Sequence, residues 1–163
     1  RRENWGEPMR EIALAARHVL DRFEDVLLVA PMHRNPLVRE VLKGVLAGHP
    51  RARLIEPPDY ARFVPLMRRS TVILSDSGGV QEEAPAFGVP VLVLRTTTER
   101  PEGVEAGTAK LVGTEFQHIV DEASQLLSDT QAYKAMANAV SPYGDGKASE
   151  RIRGLVFAKL GLG

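Results

Sequence analysis

The segment Asp76-Ser77-Gly78-Gly79-Val80-Gln81-Glu82-Glu83 runs from an apolar, strand-like stretch directly into a helical pattern. Ser77 suits an N-cap, and Gly78 and Gly79 leave backbone N–H groups uncovered at the helix start. Such donors, together with the helix dipole, suit an anion, most often a phosphate. The segment lacks the Gly-Lys-Ser/Thr ending of nucleoside-triphosphate loops and the Gly-x-Gly-x-x-Gly spacing of dinucleotide folds. Read alone, it is equally a tight strand-to-helix turn whose glycines only allow close packing. Glu83 lies four residues after Gly79, on the same helix face one turn along. A carboxylate there is badly placed for phosphate and well placed to accept bonds from two sugar hydroxyls. A ribose beside a phosphate needs that arrangement. The alternative is a first-turn acid favoured by the dipole, which Glu82 supplies equally well.

Arg95 and Arg100 follow the next strand-like stretch, and a guanidinium can clamp phosphate oxygens in a bidentate way. Their other reading is solvated arginine, with Glu99 and Glu102 as partners for Arg100. Tyr60, Phe63, Val64 and Met67 form a helical stripe of the kind that usually faces a core. Pro65 would cost ~3 kcal/mol inside a helix but little in a first turn. The regular helix is therefore expected to begin near Val64, with the Phe63 side chain in the core and its backbone open to the edge of a base. His33 follows a strand end, between Met32 and Arg34-Asn35-Pro36, a placement that favours a site. His18, His49 and His118 read as helix-surface or turn residues. No His/Asp/Glu set has metal-ligand spacing and no serine sits in a nucleophile elbow, so neither a metal nor another cofactor is expected.

These residues need elements to position them, and helical and strand periods alternate along the chain. Strands are expected over residues 26–30, 53–56, 71–76, 90–94 and 109–112, the first as a continuous apolar run covered on both faces. Helices are expected over 8–20, 37–46, 60–69, 79–87, 116–127, 130–140 and 148–160, with Gly88 ending the fourth and a loop from strand 90–94 to Gly107. Buried strands separated by helices make a parallel, doubly wound α/β sheet, Rossmann-like in class. In such sheets ligands bind beyond the carboxyl ends of the strands, where the unusual loops lie.

The 163 residues suffice for one ordinary domain. The 21 basic and 21 acidic side chains cancel, so no broad field points to nucleic acid or an anionic membrane. No apolar run approaches the ~20 residues of a membrane helix. The chain has no cysteine, which fits a reducing compartment, and a cytoplasmic location is expected. It opens Arg1-Arg2-Glu3 without methionine, and Arg1 is expected to be an interior residue of a longer protein.

Five motifs, in order, resemble the non-hydrolysing UDP-N-acetylglucosamine 2-epimerases: Arg1-Arg2-Glu3-Asn4-Trp5-Gly6, Pro31-Met32-His33-Arg34-Asn35-Pro36, Asp76-Ser77-Gly78-Gly79-Val80-Gln81-Glu82-Glu83-Ala84-Pro85, Thr98-Glu99-Arg100-Pro101-Glu102 and Pro142-Tyr143-Gly144-Asp145-Gly146. The resemblance implies the UDP-binding C-terminal domain, residues 1–163, of a two-domain GT-B-type architecture. It implies that the Phe63 backbone reads uracil, Glu83 holds the ribose, and Ser77, Gly78 and Gly79 take the diphosphate beside Arg100. Arg1, Glu3 and His33 match positions that in some bacterial members contact a second, activating UDP-N-acetylglucosamine. A family contact that is commonly glutamine is Pro58 here, which has no side-chain donor. The family's histidine before Arg-Arg-Glu-Asn falls just ahead of this chain. Its catalytic Asp and Glu residues belong to an N-terminal domain this chain lacks, so no catalytic residue is assigned here. The family strand preceding Arg1 is expected to lie centrally in the sheet. Its absence would leave strands 26–30 and 71–76 about two strand spacings apart, roughly 9.5–10 Å, or a chain prone to aggregate.

The family interconverts UDP-N-acetylglucosamine and UDP-N-acetylmannosamine by eliminating UDP and adding it back, for bacterial surface polysaccharide. The fragment alone is expected to be inactive. Expected partners are UDP-N-acetylglucosamine or UDP, the N-terminal domain of the same protein and, in full-length form, a second copy. A glycosyltransferase half and a non-enzymatic UDP-sugar-responsive module are the rival readings.

Overall fold

The computed structural model describes residues 2–161. After a 3-10 turn, Arg2–Asn4, helix α1 spans Glu7–Arg22 with Pro8 in its first turn and Ile12, Ala15, Ala16, Val19 and Leu20 buried along one stripe. Its last carbonyls are met from outside the helix. The Arg51 guanidinium bonds Leu20 O and Phe23 O, and donates to Val26 O at 2.9 Å. Strand β1, Leu28–Pro31, pairs in parallel with β2, Ala52–Ile55, in the register Leu28 to Ala52. Between them runs α2, Pro36–Leu46, whose start is set by Pro36 and by the Asn35 side chain accepting from Leu37 N at 2.9 Å.

Helix α3, Tyr60–Arg69, leads to β3, Ile73–Ser75, then α4, Gly78–Glu83, and a 3-10 turn, Ala84–Phe87. Gly88, at φ 68°, ends that turn in the left-handed region that glycine adopts without strain. Strand β4, Val91–Val93, lies between β3 and β5, Ala109–Leu111, all parallel. A short helix α5, Pro101–Glu105, occupies part of the expected loop, and α6 (Phe116–Ser128), α7 (Thr130–Ala137) and α8 (Ala148–Leu160) complete the order.

β4 shows the doubly wound design most clearly. Leu92 and Leu94 face α1 and α6 with Ile12, Val19 and Ile119, while Val91 and Val93 face Met67 of α3 and Val80 of α4. Both faces of this strand are covered, so every residue in it is apolar. β2 and β5 expose Arg53 and Lys110, charges suited to sheet edges.

The expectation that β1 is covered on both faces is corrected. All four of its residues are only half-buried, and the preceding Leu27 is 56% exposed. The reason is topological: the strands form two sheets, β1-β2 and β3-β4-β5, and among the described residues no ladder joins β1 to β3. The expected lack of direct pairing between these strands is therefore observed. Helix α1 packs against both α2 and α6, and Arg17 donates to Val45 O at 2.7 Å. The turn at Arg2–Asn4 lies over the carboxyl ends of β3 and β4, where the buried Asn4 amide donates to Asp76 Oδ2 at 3.0 Å and Leu94 O at 3.1 Å.

Candidate functional site

The glycine turn occupies the step from β3 into α4. Ser77 stands at the N-cap of α4 with extended backbone, as expected, but its side chain makes no capping bond. Instead the Ser77 N–H donates to Ser75 Oγ at 3.1 Å, and the Ser77 carbonyl accepts from Gln81 N at 3.3 Å. A Cβ built on Gly79 would meet Glu83 Oε1 at 3.7 Å and Ser77 Oγ at 4.0 Å. The hydroxyl and the carboxylate therefore flank the glycine, as the four-residue spacing predicts. The second Glu83 oxygen accepts from the Tyr60 hydroxyl at 2.9 Å. Tyr60 is 66% exposed, so it lies outside the core stripe expected of it.

Arg100 is paired, but with neither acid the sequence suggests. Its Nε donates to the Glu82 carboxylate and one terminal nitrogen to Glu99 O at 3.0 Å. The Glu82 bond and its charge push the guanidinium still further up, so it is cationic throughout the accessible pH range. Glu82 thus brings Arg100 against the helix that starts at Gly78. Its side chain stays 38% exposed, open to a further anion. Arg95 differs. Its side chain is 7% exposed and is spent on Glu3 Oε1 at 2.8 Å and Glu99 Oε2 at 2.7 Å, which excludes it as a phosphate clamp.

Helix α3 begins at Tyr60, not near Val64. The Asp59 side chain caps it by accepting from Arg62 N at 2.9 Å, and the Phe63 N–H donates to Asp59 O at 2.9 Å, so that N–H is not open. Pro65 sits inside the helix and removes the usual donor to the Ala61 carbonyl. Both residues are exposed, so water can serve that carbonyl. The Phe63 side chain is partly buried against Met67 and Val80, as expected.

An open cleft of about 750 Å³ lies at the carboxyl ends of β1, β2 and β3, with His33, Pro58, Asp59, Phe63 and Ser77 in its wall. It brings together three of the sequence-derived candidates, His33, Phe63 and Ser77. The His33 Nδ1 accepts from Asn35 N at 3.1 Å, which leaves the ring proton on Nε2. Arg39 holds this loop, donating to His33 O at 3.2 Å and forking onto Glu56 at 2.6 and 2.7 Å. Glu3 is drawn to Arg95 instead, and Arg1 lies outside the described residues. No group of three or more His, Cys, Asp or Glu side chains among the described residues could hold a metal ion, and no helix there is long and apolar enough to cross a membrane.

Sequence reasoning missed four participants. Gln81 and Thr98 are hydrogen-bonded to each other, Glu82 holds Arg100, and Tyr143 lies over Gly103 with its hydroxyl 3.5 Å from Arg100 O. Burial pushes the Tyr143 hydroxyl up. One signal was legible: Gln81 lies three and four residues before Ala84 and Pro85, both buried, a spacing that turns it inward.

The family model for UDP-N-acetylglucosamine 2-epimerase matches residues 1–156. The UDP-N-acetylglucosamine 2-epimerase of Bacillus subtilis is 55% identical over 93% of this chain and 40% of its own length. Its Escherichia coli K12 counterpart is 49% identical over the same shares. Among solved structures, the S. aureus MnaA–UDP co-structure superposes with TM-score 0.93 at 52% identity, over 99% of this chain and 44% of that one. The Neisseria meningitidis UDP-GlcNAc 2-epimerase bound to UDP-GlcNAc gives 0.91 at 47%, over 97% and 43%. The chain thus spans about two fifths of the length of the curated relatives it matches.

Proposed function

The chain belongs to the UDP-N-acetylglucosamine 2-epimerase family, and from that membership we propose that it is the UDP-holding, C-terminal half of an enzyme interconverting UDP-N-acetylglucosamine and UDP-N-acetylmannosamine. One observation carries the reading. Ser77, Gly79 and Glu83 share one helix start, and Glu82 of the same helix draws Arg100 to it. Glu83 accepts the ribose hydroxyls, the turn 77–79 and Arg100 take the diphosphate, and Phe63 lies where the base enters the cleft. With its N–H bonded to Asp59, the Phe63 backbone offers the base its carbonyl rather than a free donor. Glu3, half-exposed while one of its oxygens bonds Arg95, serves the activating ligand with His33 and Arg1.

The hydrogen on the sugar's second carbon is not next to a carbonyl, so direct deprotonation is disfavoured. Elimination of UDP gives 2-acetamidoglucal, and re-addition places the proton on the opposite face. Negative charge develops on the leaving β-phosphate. The donors of the turn and the Arg100 cation stabilise it, at ~3–4 kcal/mol per well-aimed donor. The acid and base on the two faces of the ring come from an N-terminal domain, and the strand preceding Arg1 lies between β1 and β3. The full-length enzyme works as a cytoplasmic protein and pairs with a second copy. The test is turnover of UDP-N-acetylglucosamine by the full-length protein in heavy water. Deuterium at the second carbon of UDP-N-acetylmannosamine supports the route. Product without deuterium, or no product, overturns it.

A further inference from the structure

Gln81 is fully buried in the first turn of α4. An amide buried there is costly unless both of its ends are bonded, and both are. Its Nε2 donates to Ser77 O at 3.3 Å, and its Oε1 accepts from the Thr98 hydroxyl at 2.6 Å. Thr98 Oγ1 in turn accepts from the Arg100 N–H at 3.0 Å. Each direction is forced. A backbone carbonyl only accepts, so the amide nitrogen faces Ser77. The amide oxygen also only accepts, so Thr98 spends its one proton on Gln81 and takes the Arg100 N–H with a lone pair.

This relay ties the end of β3 to the end of β4. At one end the Ser77 carbonyl is held twice, by the side chain and by the backbone N–H of Gln81. In a trans peptide the carbonyl and the following N–H point in opposite directions. Holding Ser77 O toward Gln81 therefore aims the Gly78 N–H away from the helix body. At the other end, the relay holds the Arg100 backbone at the entry to α5, while its side chain turns back to Glu82.

We propose that Gln81 and Thr98 are positioning residues that keep the glycine turn and Arg100 at the separation a diphosphate requires. The assignment rests on the diphosphate reading of that turn. The experiment titrates the full chain, unaltered and as Thr98→Val and Thr98→Ser, with UDP and with uridine. Thr98→Val should weaken UDP about tenfold and uridine less than about twofold, with Thr98→Ser restoring UDP to within about threefold. Equal losses for UDP and uridine, or no rescue by serine, would overturn the proposal. If the unaltered chain binds UDP no more tightly than uridine, the diphosphate reading fails, and with it the purpose assigned to the relay. The relay itself is read without ligand, from backbone amide spectra. Thr98→Val should move the Gly78 signal as well as that of Arg100, and an unmoved Gly78 overturns it.

Discussion

The Tyr60 hydroxyl donates to Glu83 Oε2 at 2.9 Å, from a helix that precedes the glycine turn to one that follows it. The carboxylate assigned to ribose is thus held by a phenol on the rim of the site. The bond also acts on Tyr60, since accepting the proton's hydrogen bond and adding negative charge both push its ionisation up. The raised value means the bond is present below the ordinary phenol range and is lost as pH rises through the raised one. Glu83→Gln should bring Tyr60 back toward the ordinary range, as read by ultraviolet difference titration of the three tyrosines. An unchanged tyrosine titration would contradict the pairing.

Glu83→Ala should weaken UDP binding by about 1.5–3 kcal/mol, the usual worth of hydrogen bonds to a charged group. Tyr60→Phe should cost UDP little, because sugar hydroxyls replace the phenol. Calorimetric titration of both variants checks this. Equal losses would make Tyr60 a direct contact, and no loss in Glu83→Ala would leave Glu83 a dipole acid.

Arg100→Ala should weaken UDP much more than uridine, because only UDP presents the diphosphate charge. Glu82→Gln should keep the arginine and lose part of its aim, giving a smaller loss of the same selectivity. Titrations with the two ligands separate these outcomes from simple loosening of the loop, which would weaken both alike.

A methyl on Gly103 would come within 2.7 Å of the Tyr143 hydroxyl, closer than real side chains approach. Gly103→Ala should therefore destabilise the chain by about 1–3 kcal/mol, as overpacking does. Adding Tyr143→Phe should recover part of it, as measured by chemical denaturation. Failure of the second change to recover stability would place the strain elsewhere.

The elements were legible where period and burial agree. β4 is apolar at every position because both of its faces are covered, and α3 shows a clean stripe from Phe63 to Met67. The periodic stripe placed α3 over 60–69, where it lies, whereas the later start near Val64 argued from Pro65 fails because the carbonyl that loses its donor, Ala61, is exposed to water. α5 escaped notice because five residues are too few to show a helical period. At the site, the Gly79 to Glu83 spacing carried over directly, since it depends on one helix. The Glu82 to Arg100 and Gln81 to Thr98 pairs did not, since they join separate strand ends that only the sheet brings together.

The central claim is that this chain holds UDP with the diphosphate at the glycine turn and the ribose on Glu83. Backbone amide spectra of the full chain, recorded while UDP is added, test it most directly. Saturable shifts should concentrate at Ser77, Gly78, Gly79, Glu83 and Arg100, and the phosphate-linked part of that pattern should vanish when uridine replaces UDP. Shifts confined to residues away from the turn, or identical patterns for the two ligands, would contradict the account.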